Sequence, residues 1–312
     1  MLPTFGARKL SARGELMKRV VKWLGYIVGV IVVVLLLAVG TVYAVTSSRM
    51  AKTYSPVVPP LAIPTGSASV ARGEHLAVTV GKCQACHGSN WAGTVFSDEP
   101  VFMKLTSANL TSGKGGIGGT YKDEDWVRTL RYGVNRQGKS VVFMPSDAYT
   151  HFNDTDLAQI IAYLKTLPPV DMTITPAKSI GPIGRAAYLA EGFPLLPAEK
   201  IPANLDRKPI SEGPTAEYGK YLVDAGGCRN CHGDILGGGQ EGPTKTPNLT
   251  PSGELGKWTE ADFVKVIRTG VRPDGRTLST NMPWQYMRGL TDTELSAYWA
   301  YLHSLPPAPV KK

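Results

Sequence analysis

The chain has 312 residues, with 34 Lys and Arg against 25 Asp and Glu, a formal net charge of +9 and only four cysteines. Five of the nine excess positive charges lie in residues 1–22, and the rest are scattered along the chain. Because no basic stripe with interleaved aromatic side chains is visible, this distribution excludes nucleic acid as an expected partner.

An uncharged apolar run of 23 residues, 23–45, follows the basic tail 1–22. At a rise of about 1.5 Å per residue, a helix of that length crosses a bilayer core. The Lys and Arg excess before it predicts a cytoplasmic tail, an anchor in the inner (cytoplasmic) membrane and a periplasmic remainder. A cleavable signal peptide is the alternative, but its apolar core usually has only about 7–15 residues.

Two proline-rich segments divide the rest of the chain. Residues 46–69 are rich in proline and then in small polar residues, which predicts a semi-extended tether. Residues 170–213 form a second connector with a possible short helix. The length and apolar content of this connector favour a strap packed across the flanking domains over a free linker.

All four cysteines belong to two copies of the motif Cys-x-x-Cys-His. Zinc sites, redox dithiols and covalent haem attachment all use such cysteines. A zinc ribbon usually sets its two pairs about 15–20 residues apart, whereas most of a domain separates these pairs. A redox dithiol usually follows a strand and does not need the adjacent His.

Haem attachment uses every residue of the motif, because two thiols bind the vinyl groups and the following imidazole binds the iron. The predicted attachment residues are Cys83, Cys86, Cys228 and Cys231, and the predicted axial ligands are His87 and His232.

The duplication extends well beyond this motif. Residues 144–169 align without a gap against 282–307, and shorter matching segments surround both motifs. Internal repeats of this kind indicate two copies of one domain. We place the copies at 70–169 and 214–309, each of ordinary domain size.

The ungapped alignment also predicts the sixth iron ligand. Met144 and Met282 occupy the same place in the two repeats, and each precedes a proline. A haem that carries electrons without binding substrate needs a second axial group, and a Met thioether raises its reduction potential. A Met without a repeat counterpart is more often core filler, and Met103, Met172 and Met287 are interpreted in that way.

Other matched polar residues have less specific interpretations. Arg131 and Arg268 are equivalent and are expected either to meet a haem propionate or to form solvated helix ends. His75 has no histidine counterpart and is interpreted as a surface or packing residue. Asn109 and Asn248 begin equivalent Asn-Leu-Thr segments, which indicates a structural turn rather than a glycosylation site.

The two motifs and the second repeat, from "PNLTPSGELGKWTEADF" to "YLHSLPPAP", resemble the membrane-anchored dihaem c-type cytochromes. The similarity is greatest to relatives of the cytochrome subunits of quinoprotein alcohol and gluconate dehydrogenases. Those subunits usually carry three haem motifs, where this chain has two. The resemblance implies two covalently attached haem c groups and a redox partner protein such as a dehydrogenase, an oxidase or another cytochrome.

The resemblance also implies a fold. It is all-α, with an N-terminal transmembrane helix followed by two tandem class I-type cytochrome c domains. The first and last helices of each domain are expected to cross, with Gly73 and Gly219 close to Tyr163 and Tyr301. A further implication is that the carbonyls of Pro100 and Pro243 accept hydrogen bonds from the axial imidazoles.

Two functional classes follow from these features. The first is a non-enzymatic electron carrier, between a respiratory dehydrogenase or quinol-oxidising complex and a terminal acceptor. Two His/Met irons favour it, because neither leaves a position open for substrate. The alternative is a dihaem enzyme, peroxidase-like or thiosulfate-oxidising, in which one axial ligand is displaceable. Such an enzyme needs acid–base residues near the iron, and the sequence around the motifs shows no matched set.

Overall fold

The computed structural model describes residues 5–190, 195–202, 205, 207–241 and 244–309. The chain forms two compact units, Met1–Arg49 and Met50–Lys312. Both repeats belong to the second unit, so the two predicted haem domains are packed together as one body.

The first unit consists almost entirely of helix α1 (Phe5–Ala51). Within the described part of the chain, its segment Glu15–Ala51 is the one helix that is long and apolar enough to cross a bilayer. This segment contains the predicted run 23–45, and large apolar side chains such as Leu36 are more than half exposed. The segment is therefore a candidate anchor, because a signal sequence near the N-terminus can be equally long and apolar.

The first repeat contains five helices and two short strands. Its first helix continues as a π-helical turn, Leu76–Val80, which leads into the first cysteine motif. The elements are α2 (Ser67–His75), α3 (Gln84–His87), β1 (Val95–Glu99), β2 (Met103–Thr106), α4 (Asp123–Tyr132), α5 (Ser146–Tyr149) and α6 (Asp154–Lys165).

The connector and the second repeat follow the same pattern of short helices. The connector contributes β3 (Lys178–Ile180) and α7 (Pro182–Leu189). The second repeat contains α8 (Ala216–Ala225), α9 (Cys228–His232), β4 (Gly239–Glu241), β5 (Thr244–Thr246), α10 (Glu260–Thr269), α11 (Trp284–Met287) and α12 (Asp292–Ser304).

The last helix of each repeat begins at a capping side chain, and the two capping residues occupy the same position in the repeat. Asn153 and Thr291 cap α6 and α12 by accepting the backbone N–H groups of Asp156 and Glu294. A side-chain oxygen at this position satisfies one of the free N–H groups of the first turn. Both last helices therefore start at the same point of the repeat.

The first and last helices of each repeat cross closely, as the sequence predicts. A Cβ atom on Gly73 would lie 1.8 Å from the backbone oxygen of Gln159, and one on Gly219 would lie 1.9 Å from that of Ala297. The predicted neighbour Tyr301 also contacts Gly219, with its Cβ atom 2.8 Å from the built atom. For Gly73, the three nearest atoms belong to Gln159 and Ile160, and the close approach of Tyr163 stays a prediction.

The expectation of a purely helical chain is too simple. An antiparallel sheet of order β1-β2-β3 joins the first repeat to the connector, and β4 and β5 form a hairpin. Met103 pairs with both Glu99 and Ile180 across the larger sheet. These strands have three to five residues, too few for an alternating apolar pattern to identify them from sequence.

The described part of the connector, called the strap, packs against the first repeat. Its packing across both domains stays a prediction. Its buried side chains Ile180, Tyr188, Leu195 and Leu196 join Met103 and Leu105 in a second hydrophobic core under the larger sheet. The main core contains buried side chains of both repeats. Met103 and Met287 are buried in these cores, which agrees with their interpretation as core filler.

The tether is extended but packed. The backbone N–H of Tyr54 donates to the carbonyl of Gly138 at 2.8 Å, which joins the tether to the first repeat. Val58, Leu61 and Ile63 lie against the main core. Prolines flank this apolar segment on both sides, and partial burial of its side chains stabilises the extended backbone.

Candidate haem-binding sites

Each cysteine motif forms a single helical turn. In the first copy, His87 N–H donates to the carbonyl of Cys83 at 2.9 Å, so Cys83, Cys86 and His87 lie on one turn. In the second copy, Cys228, Cys231 and His232 belong to α9. The structure thus brings both thiols and the imidazole of each predicted site together.

The thiols have the chemistry of buried, protonated cysteines. All four are free rather than disulfide-bonded. Burial raises the pKa of Cys83 to about 12, and burial also raises the pKa values of Cys86 and Cys228. A redox dithiol works through a thiolate, which requires a lowered pKa. The raised pKa values therefore oppose a redox dithiol. Within the described residues, no group of three or more His, Cys, Asp or Glu side chains is placed to hold a metal ion such as zinc.

Each imidazole is held by a backbone carbonyl. His87 Nδ1 lies 2.8 Å from the carbonyl oxygen of Ala108, and His232 Nδ1 lies 2.9 Å from that of Pro247. A proton on Nδ1, shared with a carbonyl, leaves the Nε2 lone pair available for a metal. Burial lowers the pKa of His87, which favours the neutral imidazole that a metal requires.

These acceptors correct the implication drawn from family resemblance. Pro100 lies at the end of β1 and does not receive the His87 hydrogen bond, and Pro243 lies outside the described residues. The actual acceptors, Ala108 and Pro247, occupy one position of the repeat, directly before the Asn-Leu-Thr segments. The matched Asn-Leu-Thr segments therefore mark the position of both acceptors in the sequence.

The Asn-Leu-Thr segments are structural turns, as predicted. Asn109 Oδ1 accepts the backbone N–H and the hydroxyl of Thr111 at 2.9 and 2.8 Å. Asn248 Oδ1 accepts the same two groups of Thr250 at 2.8 and 2.7 Å. Because Asn109 is fully buried, it is a packing residue and not a glycosylation site. These turns hold the preceding carbonyls that face the imidazoles.

The surroundings of the first motif are apolar. A small cavity beside Cys83 is lined by Leu130, Tyr149, Phe152, Leu157 and Ile160, among others. The Tyr149 hydroxyl donates to the carbonyl of Gly81 at 2.6 Å and is therefore satisfied. Apolar walls, free thiols and a neutral imidazole are the donor set and environment that covalently bound haem requires.

Met144 and Met282 have the same local geometry in the two repeats. Both are partly buried and pack against the main core, as do Cys83 and Cys228. Each backbone carbonyl accepts the N–H two residues later at 2.8 Å, from Ser146 and Trp284 respectively. The predicted sixth ligands thus sit in matched turns.

The strap contacts the segment directly before Met144, and among the described residues no equivalent segment contacts the one before Met282. The N–H of Phe143, directly before Met144, donates to the carbonyl of Leu195 at 2.9 Å. The rings of Phe143 and Phe96 lie 4.8 Å apart. In the second repeat, most of the segment 271–281 before Met282 is exposed. The two methionine turns therefore differ in how firmly tertiary contacts hold them.

The matched arginines form ion pairs within the protein. Arg131 Nη1 lies 2.6 Å from Asp154 Oδ1, and Arg268 Nη2 lies 2.8 Å from Asp292 Oδ1. Asp154 and Asp292 are the first residues of α6 and α12. Both arginines thus fix the start of the last helix of their repeat. Because Arg131 is only 2% exposed, the expectation of a solvated helix end is wrong for it.

Two family profiles match the two repeats. Residues 216–306 match "Cytochrome c", and residues 68–164 match "Cytochrome C oxidase, cbb3-type, subunit III". The fold and the motifs thus define a protein with two cytochrome c domains, which bind two covalently attached haem c groups. This is a class of electron-transport proteins.

Several relatives extend this similarity over most of the chain. The diheme cytochrome c-type of Cereibacter sphaeroides is 29% identical over 277 residues, covering 78% of this chain and 87% of the relative. The fructose dehydrogenase cytochrome subunit of Gluconobacter japonicus is 28% identical over 265 residues, covering 76% of this chain. The gluconate 2-dehydrogenase cytochrome c subunit of Pantoea cypripedii is 26% identical over 269 residues, covering 76%.

The chain is therefore related to dihaem c-type cytochromes and to the cytochrome c subunits of dehydrogenases, which confirms the resemblance seen in the sequence. It spans 53% of the fructose dehydrogenase subunit and 60% of the gluconate dehydrogenase subunit.

Proposed function

We propose that this chain is a membrane-anchored periplasmic electron carrier. It passes electrons between a respiratory dehydrogenase or quinol-oxidising complex and a terminal acceptor, and it is not itself an enzyme. The observation that carries the proposal is the matched pair of sites. Each has a cysteine turn, an imidazole held at Nδ1 and a methionine in the same turn of the repeat.

The proposal assigns a role to each site residue. Haem iron supplies one-electron redox chemistry at each site. The thiols of Cys83, Cys86, Cys228 and Cys231 would hold the two haem groups covalently. The imidazole Nε2 atoms and the methionine thioethers would ligate the irons, His87 with Met144 and His232 with Met282.

The domain arrangement belongs to the same proposal. The class I-type haem domains occupy 70–169 and 214–309, and 170–213 joins them. The tail 1–22 stays in the cytoplasm, 23–45 crosses the inner membrane and 46–69 leads to the periplasmic domains. The apolar run 23–45 and the positive charges before it support this topology.

The relatives support a dehydrogenase as electron donor. Matches to the cytochrome subunits of a fructose and a gluconate dehydrogenase each cover 76% of this chain, and a match to the subunit of an alcohol dehydrogenase covers 39%. The diheme relative, of which the chain covers 87%, supports function with two haem groups.

The test uses the full chain, matured with haem and purified in detergent. A potentiometric titration followed by absorbance is combined with carbon monoxide added to the reduced protein. A carrier keeps both irons low-spin and does not bind the gas. Met144→Ala and Met282→Ala should each open one iron of the two. If the unmodified protein binds carbon monoxide readily at one iron, the dihaem enzyme is the correct class.

A further inference from the structure

Lys82 has an unusual backbone conformation next to the first cysteine motif. It directly precedes Cys83 and adopts a left-handed φ of 51°. Gly227 directly precedes Cys228 in the second motif and has a φ of 70°. Glycine adopts this conformation freely, whereas a lysine is strained in it. The repeat therefore keeps one backbone shape before both motifs, but only the second copy uses the residue suited to it.

The side chain of Lys82 connects the two domains. Its Nζ atom donates to the carbonyl of Val80 at 2.6 Å and to the carbonyl of Gly226 at 2.8 Å. Gly226 lies two residues before Cys228. One amine therefore joins the segment that leads into the first motif to the segment that leads into the second.

The amine lies in a buried environment between the two motifs. Burial lowers the pKa of Lys82, whose amine lies near Cys83 of the first motif and Cys228 and Cys231 of the second. A buried lysine amine is costly unless hydrogen bonds satisfy it. A strained backbone and a buried amine at one residue are retained only where the surrounding structure compensates for them.

Neighbouring contacts bring each motif against the other domain. A Cβ atom on Gly227 would lie 3.2 Å from Ala148 Cβ, in the helix that follows Met144. One on Gly289, after the helix that follows Met282, would lie 2.9 Å from Thr79 Cγ2. Lys82 thus lies in a packed interface that both motifs share.

We propose that Lys82 is a positioning residue for electron exchange between the two haem sites. Its amine fixes the segment before Cys83 against the segment before Cys228 and so sets the arrangement of the two haem groups. The proposal rests on the proposed function, because it requires that both sites hold haem and exchange electrons.

The test compares the full, haem-loaded chain with three variants. Lys82→Met keeps an apolar stem but removes the donor. Lys82→Gly also removes the strain, because it installs the residue that the second repeat uses. Lys165→Met is the control, because Lys165 is a partly exposed lysine of α6 that pairs with Asp123. Two readouts are measured: the magnetic coupling between the two ferric irons by electron paramagnetic resonance, and the rate of electron equilibration after photoreduction.

Both Lys82 variants should lose coupling and equilibrate about tenfold more slowly, since transfer depends on the relative placement of the two groups. Lys165→Met should match the unmodified chain. Unchanged coupling and rate in Lys82→Met and Lys82→Gly would overturn the proposal. So would loss of haem from both variants, because the lysine would then act in folding rather than in positioning.

Failure of the proposed function gives a different result. In that case the unmodified chain lacks two low-spin irons, or shows no exchange between them, before any variant is compared.

Discussion

Arg72 and Tyr218 contact each other, and they occupy the same position in the two repeats. Arg72 Nη2 lies 2.9 Å from the Tyr218 hydroxyl oxygen. A contact between equivalent residues marks a twofold axis in a symmetric dimer. The two domains of this chain therefore pack with approximate twofold symmetry, as two copies of one protein would.

The contacts on either side of this axis are also equivalent. His75 Nε2 lies 2.8 Å from Glu294 Oε2, and the equivalent Tyr221 donates its hydroxyl to the equivalent Asp156. His75 is therefore a packing residue, as interpreted from sequence, but its role is to join two domains. The first helix of each domain thus contacts an acidic side chain near the start of the other domain's last helix.

The two carboxyl groups differ in ionisation because their partners differ. Burial opposes ionisation of Glu294, but hydrogen bonds with His75 and Arg72 outweigh it and lower its pKa to about 2. Burial raises the pKa of Asp156, whose hydrogen bond comes from the neutral Tyr221. The symmetric interface thus holds one strongly acidic carboxyl group and one weakly acidic one.

Glu294→Gln should destabilise the two-domain unit in a pH-dependent way. The pKa falls from 4.5 unfolded to about 2 folded, which corresponds to roughly 3 kcal/mol of stability. A lowered carboxyl pKa stabilises the fold above the unfolded value, and this stability is lost as pH falls through the folded value. Denaturant unfolding at several pH values should show a deficit of about 3 kcal/mol at pH 7 that shrinks below about pH 4.5.

Asp156→Asn is the matched control for that variant. Because the pKa of Asp156 is raised, its ionised form gains nothing from the fold. This variant keeps Glu294, so its stability deficit relative to the unmodified chain should not shrink as pH falls from about 4.5 to 2. Equal pH profiles for both variants would contradict the ion-pair account of Glu294.

Gly219→Ala should strongly destabilise the second domain. The added Cβ would lie 1.9 Å from the Ala297 carbonyl oxygen, so α8 and α12 must separate. Overpacking of this kind costs typically about 1–3 kcal/mol, and backbone contacts are at the upper end. Thermal unfolding checks this against Gly213→Ala, whose new Cβ would meet only Thr215 Cγ2 at 3.7 Å. Similar midpoints for the two variants would contradict the close helix crossing.

Asn248→Ala should raise the reduction potential of the second haem alone. The Asn248 turn holds the Pro247 carbonyl that accepts the His232 hydrogen bond, and that bond makes the imidazole a stronger donor to iron. Weakening that hydrogen bond shifts the redox equilibrium toward the reduced iron by a factor of about ten, which raises the potential by about 59 mV for one electron. Asn109→Ala should act on the first haem instead. Potentiometry that finds both potentials shifted equally in either variant would contradict local control.

Phe143→Ala should make the Met144 ligand easier to displace. The Phe143 ring packs against Phe96 of β1 and against the second hydrophobic core, which includes Leu195 of the strap, so the methionine turn loses these contacts. Carbon monoxide should then bind to about one of the two reduced irons, at a rate at least about tenfold above that of the unmodified chain. Asn281→Ala, at the equivalent exposed position before Met282, is the control. A larger effect of Asn281→Ala would show that the strap does not hold the Met144 turn.

Much of the candidate site could be predicted from the sequence, because its chemistry depends on residue types at short, fixed spacings. Cys83, Cys86 and His87 lie within one helical turn, so their proximity needs no tertiary information. The repeat then indicated Met144 as the predicted sixth ligand, because a Met-Pro pair occurs at the same alignment position in both copies. Helices such as α6 and α12 were predictable from their caps and apolar periods.

The acceptors of the imidazole hydrogen bonds were harder to predict. A backbone carbonyl belongs to every residue, so Ala108 and Pro247 carry no side-chain signal of their role. The loop between motif and acceptor also differs in length between the two repeats, so the family resemblance pointed to Pro100 instead of Ala108.

The sequence by itself determined that two equivalent haem domains follow an apolar helix, since covalent attachment motifs and internal repeats are local patterns. The tertiary structure alone decided how those domains meet. The Arg72 contact with Tyr218, the strap strand β3 and the bridge from Lys82 to Gly226 all join residues far apart in the chain. Such contacts depend on how packed surfaces fit together, and no periodicity or spacing in one sequence records that fit.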